Sequence, residues 1–228
     1  MPPQIAPNIS PVFTGLVLAG GAGTRMGGNK PFRMLGPRPL VDYALSNARR
    51  DCPHVLIASN EDPQKYAAWG CPVIADHPHA GLGPLGGILA GLKHLPNGSN
   101  WLAVYAVDCP IVPAGLPAIL HRAICQLNDN ATPATQNRVL AAHARYCGRD
   151  HYLASLWHRD MAPAIFALLA QDQRRVRQAL MAGNARTIEF PVPDDATMAD
   201  LLFANINQCE DIARFEKTLP GNLPEKLR

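Results

Sequence analysis

The sequence predicts a three-layer α/β fold built on a mostly parallel sheet with a small antiparallel excursion. Three observations predict it. Short apolar runs alternate with stretches of helical spacing between Phe13 and Leu127, the rhythm of parallel strands covered by helices on both faces. A glycine cluster follows the first of these runs directly. The length, 228 residues of which 47% are hydrophobic, is ample for one buried core.

Taken in order, residues 1–11 form a Pro-rich tail without a cation, and residues 13–18 (FTGLVL) form the first buried strand. Residues 40–50 are helical, with Val41, Ala44, Leu45 and Ala48 on one side. Strands follow at 54–59 and 72–75, a helix at 85–94, the most strand-like stretch of the chain at 101–107 (WLAVYAV), and a helix at 117–127. From Ala131 the rhythm changes. Residues 139–146 and 151–157 are strands with no helix between them, the antiparallel excursion. Helices at 161–170 and 174–181, strands at 186–190 and 202–206, and a last helix at 209–216 complete the reading. With no internal repeat and no long linker, residues 1–228 read as one domain, with tails at 1–11 and 219–228.

Composition excludes several classes. Lys and Arg number 21 against 18 Asp and Glu, a net charge of +3 with no basic stripe, so no nucleic-acid footprint is expected. The longest apolar run, residues 162–170, falls far short of the ~20 residues that span a bilayer, and the N-terminus lacks the charged and apolar regions of a signal peptide. No membrane partner is expected. The six cysteines form no C-x-x-C pair. They read as free thiols of a reduced, cytoplasmic protein rather than as a metal cluster.

The most informative stretch is Leu18-Ala19-Gly20-Gly21-Ala22-Gly23-Thr24-Arg25-Met26-Gly27-Gly28-Asn29-Lys30-Pro31. A Gly-rich loop can turn its N–H groups onto an anion, and Arg25 and Lys30 add two cations suited to phosphate oxygens. A structural turn explains the glycines but not the cations. Neither familiar phosphate loop fits, because Lys30 is followed by Pro31 and Met26 stands where a dinucleotide fingerprint needs Gly. The formal G-x-G-x-x-G at Gly81, Gly83 and Gly86 contains Pro84 and is set back from its strand.

Residues 18–30 resemble the nucleotide loop of nucleoside-triphosphate-dependent nucleotidylyltransferases, approximately L-A-G-G-x-x-x-R-M-G-G and then Lys. Met26-Gly27-Gly28 is similar to the molybdenum cofactor guanylyltransferase family, whereas sugar-nucleotide pyrophosphorylases continue with Leu and a longer gap. Val73-Ile74-Ala75-Asp76, Gly83-Pro84-Leu85-Gly86-Gly87-Ile88, Asp108-Cys109-Pro110, Arg149-Asp150-His151 and Asn205-Ile206-Asn207 resemble further segments of that family. The likeness runs from about Gly15 to Phe215. Two departures stand out: the segment Gly28-Asn29-Lys30 is short, and Tyr152 stands where relatives often carry Pro.

The resemblance implies a Rossmann-like domain that transfers GMP from GTP to the terminal phosphate of molybdopterin, or of the molybdenum cofactor, and releases pyrophosphate. It implies Leu18, Ala19, Gly20, Gly21, Arg25, Lys30, Asn60, Asp76 and Asp108 as the nucleotide site, with Arg25, Lys30 and Asp108 catalytic. It implies magnesium as the cofactor on Asp108, and His151, Asn205 and Asn207 on the acceptor side. Molybdenum-insertion enzymes and molybdoenzyme chaperones are the implied partner proteins. From the residues alone, Asn60, Asp76 and Asp108 read equally as turn or cap formers, one of Asn205 and Asn207 as a helix cap, and His151 as a packed side chain. Arg174, Arg175 and Arg177 stay open between a solvated helix face and a phosphate contact.

Three other readings compete. A cytidylyl transferase for the same acceptor typically begins with an A-A-G-type loop, against Leu18-Ala19-Gly20-Gly21 here. A sugar-1-phosphate nucleotidylyltransferase is disfavoured by Met26-Gly27-Gly28 and the short chain. A regulatory module that binds nucleotide without turnover is disfavoured by the retention of Arg25, Lys30 and Asp108, and substrate-dependent pyrophosphate release separates it from an enzyme.

Overall fold

The computed structural model describes residues 11–20, 29–76, 81, 83–129 and 138–218. In chain order the elements are β1 (Phe13–Leu18), β2 (Met34–Leu35), β3 (Arg38–Pro39), α1 (Leu40–Asp51), β4 (His54–Ala58), β5 (Val73–Ile74), α2 (Pro84–Lys93) and β6 (Trp101–Ala106). Then come α3 (Leu116–Asp129), β7 (Ala141–Tyr146), β8 (Arg149–His158), α4 (Ala162–Ala170), α5 (Val176–Ala182), β9 (Arg186–Glu189), α6 (Ala196–Leu201) and α7 (Cys209–Thr218). The main sheet has the spatial order β5-β4-β1-β6-β8-β7-β9, and β2 pairs separately with β3.

Six of the seven strands run the same way. β1 pairs in parallel with β4 and with β6, β4 with β5, and β7 with β9, while β8 runs against both β6 and β7. The chain first builds to one side of β1 and then crosses to the other, so the order reverses between β1 and β6. That reversal opens a crevice at the carboxyl ends of the strands.

Alternation along the central strands sends side chains into two cores. Val17, Trp101, Ala103 and Tyr105 face α1 and α3, and Leu16, Leu18, Leu102 and Val104 face α2 and α4. Helix α2 reaches its sheet through glycine. A Cβ on Gly87 would lie 2.9 Å from Leu18 Cδ2 and 3.1 Å from Ala58 Cβ, and one on Gly91 would lie 2.8 Å from Leu102 Cδ2. Two glycines one turn apart therefore let the helix backbone settle on β1, β4 and β6 and hold its N-terminus at the crevice.

Residues 202–206 are not a strand. Leu202, Phe203 and Ile206 are buried, as the apolar pattern requires, but Phe203 takes a left-handed φ of 59° just after α6. The backbone then fastens to the loop beyond β6, with Phe203 N donating to Ile111 O and Ile206 N to Asp108 O. The strands β2 and β3, of two residues each, and α6, of six, are too short to stand out in the sequence. Helix α5 begins at Val176, so Arg174 and Arg175 precede it.

Gly91→Val should destabilise the fold by about 1–3 kcal/mol, because the added branches overpack a closed interface. The urea midpoint should fall with an unchanged slope. A midpoint at or above the wild-type value would mean that the helix does not sit this close.

Candidate functional site

The crevice between β1 and β6 is framed by backbone. Val107 N donates to Leu18 O and Ala19 N to Ala58 O, which carries the ladder past the strand ends. Beneath it lies a cavity of about 570 Å³ whose walls include Leu18, Ala19, Gly20, Asn60, Asp76 and Asp108. Lys30 enters from the far side on a one-turn 3-10 helix, Lys30–Phe32, fixed by Pro31 and by Asn29 in the left-handed region at φ 53°. Its Nζ donates to Asp108 Oδ2 at 2.9 Å and to Asn207 Oδ1 at 3.0 Å. The pair is half-withdrawn from water, with side chains 17% and 24% exposed.

At the outer wall, Asn60 Oδ1 accepts from the backbone N–H of Asp76 at 3.2 Å, so the loops after β4 and β5 are tied together. The Asp76 carboxylate is left with a buried Oδ1 that has no partner among the described residues. A buried acceptor without a donor is costly and suits a ligand N–H or O–H.

A second cavity, of about 960 Å³, opens on the other side of Asp108 and includes His151, Asn205, Asn207 and Asp150. Asp108, Ala106 and Leu153 line both cavities. β8 reaches this space because its first residues run past the end of β6, whose pairing with β8 stops at Val104↔Ser155. The His151 ring stacks on Phe203, with centroids 4.9 Å apart and planes at 27°. Burial, reinforced by Arg149, pushes its pKa down.

Asp150 escaped sequence reasoning as a separate site residue. Its Oδ1 accepts from Arg145 Nε at 2.7 Å and its Oδ2 from Tyr152 OH at 3.1 Å. His143 Nε2 lies 3.5 Å from Oδ1 and is also 3.2 Å from Thr187 Oγ1. The Arg145 hydrogen bond, opposed by desolvation and helped by Tyr152, holds the Asp150 carboxyl at about 2. His143 is buried among these groups, its pKa lowered mainly by desolvation. The signal in the sequence was Tyr152, which supplies the hydroxyl.

The expected site residues therefore divide between two cavities that meet at Asp108. Leu18, Ala19, Gly20, Lys30, Asn60 and Asp76 line the first, and His151, Asn205 and Asn207 the second. Gly21 and Arg25 lie outside the described residues. The Arg174 carbonyl lies 4.0 Å from where a Cβ on Gly83, a residue of the first cavity, would be, and its guanidinium pairs with Asp172. Sequence reasoning also missed Asp211, whose Oδ2 accepts from the N–H groups of Asn207 and Gln208 at 2.8 and 3.0 Å, fixing the Asn207 backbone at the start of α7.

Among the described residues, no group of three or more His, Cys, Asp and Glu is placed to hold a metal ion. Magnesium does not need one. It prefers hard oxygen donors and takes one or two carboxylates together with substrate phosphates. Asp108 Oδ1 accepts no hydrogen bond from a described residue, and Asn207 Oδ1 stands across Lys30 from it. This donor set fits magnesium shared with a nucleotide.

Comparison with known proteins gives a consistent picture. The MobA-like NTP transferase domain matches residues 15–187. A molybdenum cofactor guanylyltransferase from Rhodobacter capsulatus is 37% identical over 214 residues, covering 93% of this chain and 99% of its own. One from Serratia proteamaculans is 33% identical over 206 residues, covering 90% and 94%. In structure, molybdopterin-guanine dinucleotide biosynthesis protein A from Archaeoglobus fulgidus superposes with a TM-score of 0.69 at 21% identity, over 90% of this chain and 97% of that one. The 4-diphosphocytidyl-2C-methyl-D-erythritol synthase of Anaerococcus prevotii shares the fold at a TM-score of 0.64 and 11% identity, over 92% and 96%.

Asp150 ties the electrostatics of the second cavity to pH. Its folded pKa, about 2, lies below its ordinary 3.8, so its stabilisation is complete above 3.8 and is lost as pH falls toward 2. Asp150→Asn should lower the melting temperature at pH 7, and the gap to the wild type should close across that acid window. A gap of constant size would mean that the cluster is held by shape rather than by charge.

Proposed function

This chain belongs to the MobA-like NTP transferase family, and we propose that it transfers GMP from GTP to the terminal phosphate of molybdopterin, releasing pyrophosphate and giving molybdopterin guanine dinucleotide. The observation that carries the proposal is Asp108, one carboxylate shared by two cavities, with Lys30 beside it. A transfer between two phosphates needs such a wall. GTP would lie in the smaller cavity and the acceptor in the larger, their phosphates meeting at Asp108.

In this reading the Oδ1 of Asp76, without a partner among the described residues, accepts from the nucleoside, and Asn60 holds Asp76 in place through its backbone. Lys30 carries positive charge to the phosphate chain, where charge-assisted contacts are strongest. The acceptor's terminal phosphate is mostly dianionic at neutral pH, its second pKa being about 6, so its oxygen attacks the α-phosphorus without a general base. The bond from the α-phosphorus to its β-bridging oxygen breaks, and its electron pair leaves with pyrophosphate. Lys30 neutralises part of the charge on that leaving group, and the cavity walls fix the in-line approach. A magnesium ion on Asp108 would supply further charge neutralisation at the transferring phosphate. His151, Asn205 and Asn207 line the acceptor's cavity.

The reading treats residues 1–228 as one nucleotidyltransferase domain. The six cysteines are unpaired, which supports a reducing compartment such as the cytoplasm, and no helix among the described residues is long and apolar enough to cross a membrane. Molybdenum-insertion enzymes and molybdoenzyme chaperones are the partners this reaction calls for.

Two measurements test the proposal. Asp108→Asn keeps shape but removes a charge, so the protein should fold and bind GTP while turnover falls by about 10²-fold or more. A lower melting temperature with normal turnover per folded molecule would return Asp108 to a turn former. Calorimetric titration with magnesium should give tighter binding of GTP than of CTP or ATP. Tighter CTP binding would move the assignment to the cytidylyl reaction.

A further inference from the structure

We infer that Lys30 keeps the divalent-metal position at Asp108 closed until a triphosphate draws its ammonium away, so that metal loading is conditional on nucleotide. The inference rests on the reading of Asp108 as the metal carboxylate.

Lys30 Nζ lies 2.9 Å from Asp108 Oδ2, which leaves only Oδ1 of that carboxylate without a bond from a described residue, and its second bond at 3.0 Å to Asn207 Oδ1 takes another hard oxygen nearby. Both ends of the contact are anchored. The 3-10 turn Lys30–Phe32, with Pro31 in its first turn, fixes the root of the lysine. Ile206 N donates to Asp108 O at 2.7 Å, and Asp211 holds the backbone N–H of Asn207 at 2.8 Å. What remains free to move is the flexible four-carbon stem of the lysine.

A magnesium or manganese ion bonded to either oxygen of the Asp108 carboxylate would stand within several ångströms of that ammonium, and like charges so close in a half-buried site repel strongly. The chain offers little to offset this, because no group of three or more His, Cys, Asp and Glu is placed among the described residues to hold the ion. A triphosphate reverses both terms. Its oxygens complete the metal's ligands, and its negative charge gives Lys30 a better partner than Asp108. Lys30 and Leu18, Ala19 and Gly20 line the same cavity, so the ammonium can turn to a phosphate without backbone movement.

The test uses manganese as the probe and the full chain without nucleotide. Binding is followed by loss of the six-line paramagnetic resonance signal of the free ion, with circular dichroism to verify folding. Lys30→Met keeps the length of the side chain and removes its charge, and Lys30→Gln serves if the Met variant does not fold. The variant should bind about one manganese ion per chain at least tenfold more tightly than the wild type, and adding Asp108→Asn to it should abolish the gain. Equal binding by wild type and variant, whether both tight or both undetectable, overturns the inference. A gain that survives Asp108→Asn would instead overturn the reading of Asp108 as the metal carboxylate.

Discussion

Everything at the site depends on β1 and β6 being neighbours. Their ladder runs without a break from Phe13↔Trp101 to Leu18↔Ala106, and Val107 N extends it to Leu18 O. This pairing forces the reversal of strand order, since the chain reaches β6 only after building β4 and β5 on the opposite side. It also sets the residues after Leu18 and those after Ala106 side by side. Ala19 and Gly20 at the end of β1 and the loop that carries Asp108, more than eighty residues on in the chain, become the two lips of one crevice. The buried, largely apolar strands secure the pairing through the hydrophobic effect.

The acidic lip is held by a hydrogen-bond network centred on Asp51, one member of which, Tyr105, also lines the second cavity. The Asp51 carboxylate accepts from Arg50, Tyr105 OH and Gly115 N, and Arg50 reaches on to the carbonyls of Val112 and Pro113. Asn47 Nδ2 donates to Pro110 O. The end of α1 thus fixes the segment beyond Asp108 at several points, and burial pushes the Tyr105 phenol far above its ordinary value, keeping it a donor. Such satisfied buried networks rigidify the backbone that they hold.

The central strands and most helices were legible because burial on both sides writes continuous apolar runs, as in HVLIAS and WLAVYAV. Residues 202–206 misled for the same reason. Burial was legible there and geometry was not, since the left-handed turn at Phe203 falls on a residue type that rarely adopts it. At the site, Lys30 and Asp108 were legible through the loop pattern and the strand end. That they bond to each other, with Asn207 as the third member, was not, because partners 78 and 177 residues apart leave no local signature. Asp150 lay hidden for a related reason: its environment comes from Arg145 across a hairpin and His143 beside a β-bulge, a register that only the folded pairing sets.

That hidden cluster bears on how the second cavity keeps its shape. Tyr152 follows His151, and its hydroxyl donates to Asp150 Oδ2, which ties the side chain to the head of its own strand. The same carboxylate anchors Arg145 on the neighbouring strand, so one acid at the head of β8 clamps two strands across the irregular step between His143 and Ala144. The stacking of His151 on Phe203 closes the opposite face. Phe203 owes its position to the very turn that ends α6 and is pinned through Ile111 to the loop after Asp108. The wall of the second cavity and the carboxylate that lines both cavities are therefore joined through backbone, by Phe203 N on Ile111 O and Ile206 N on Asp108 O.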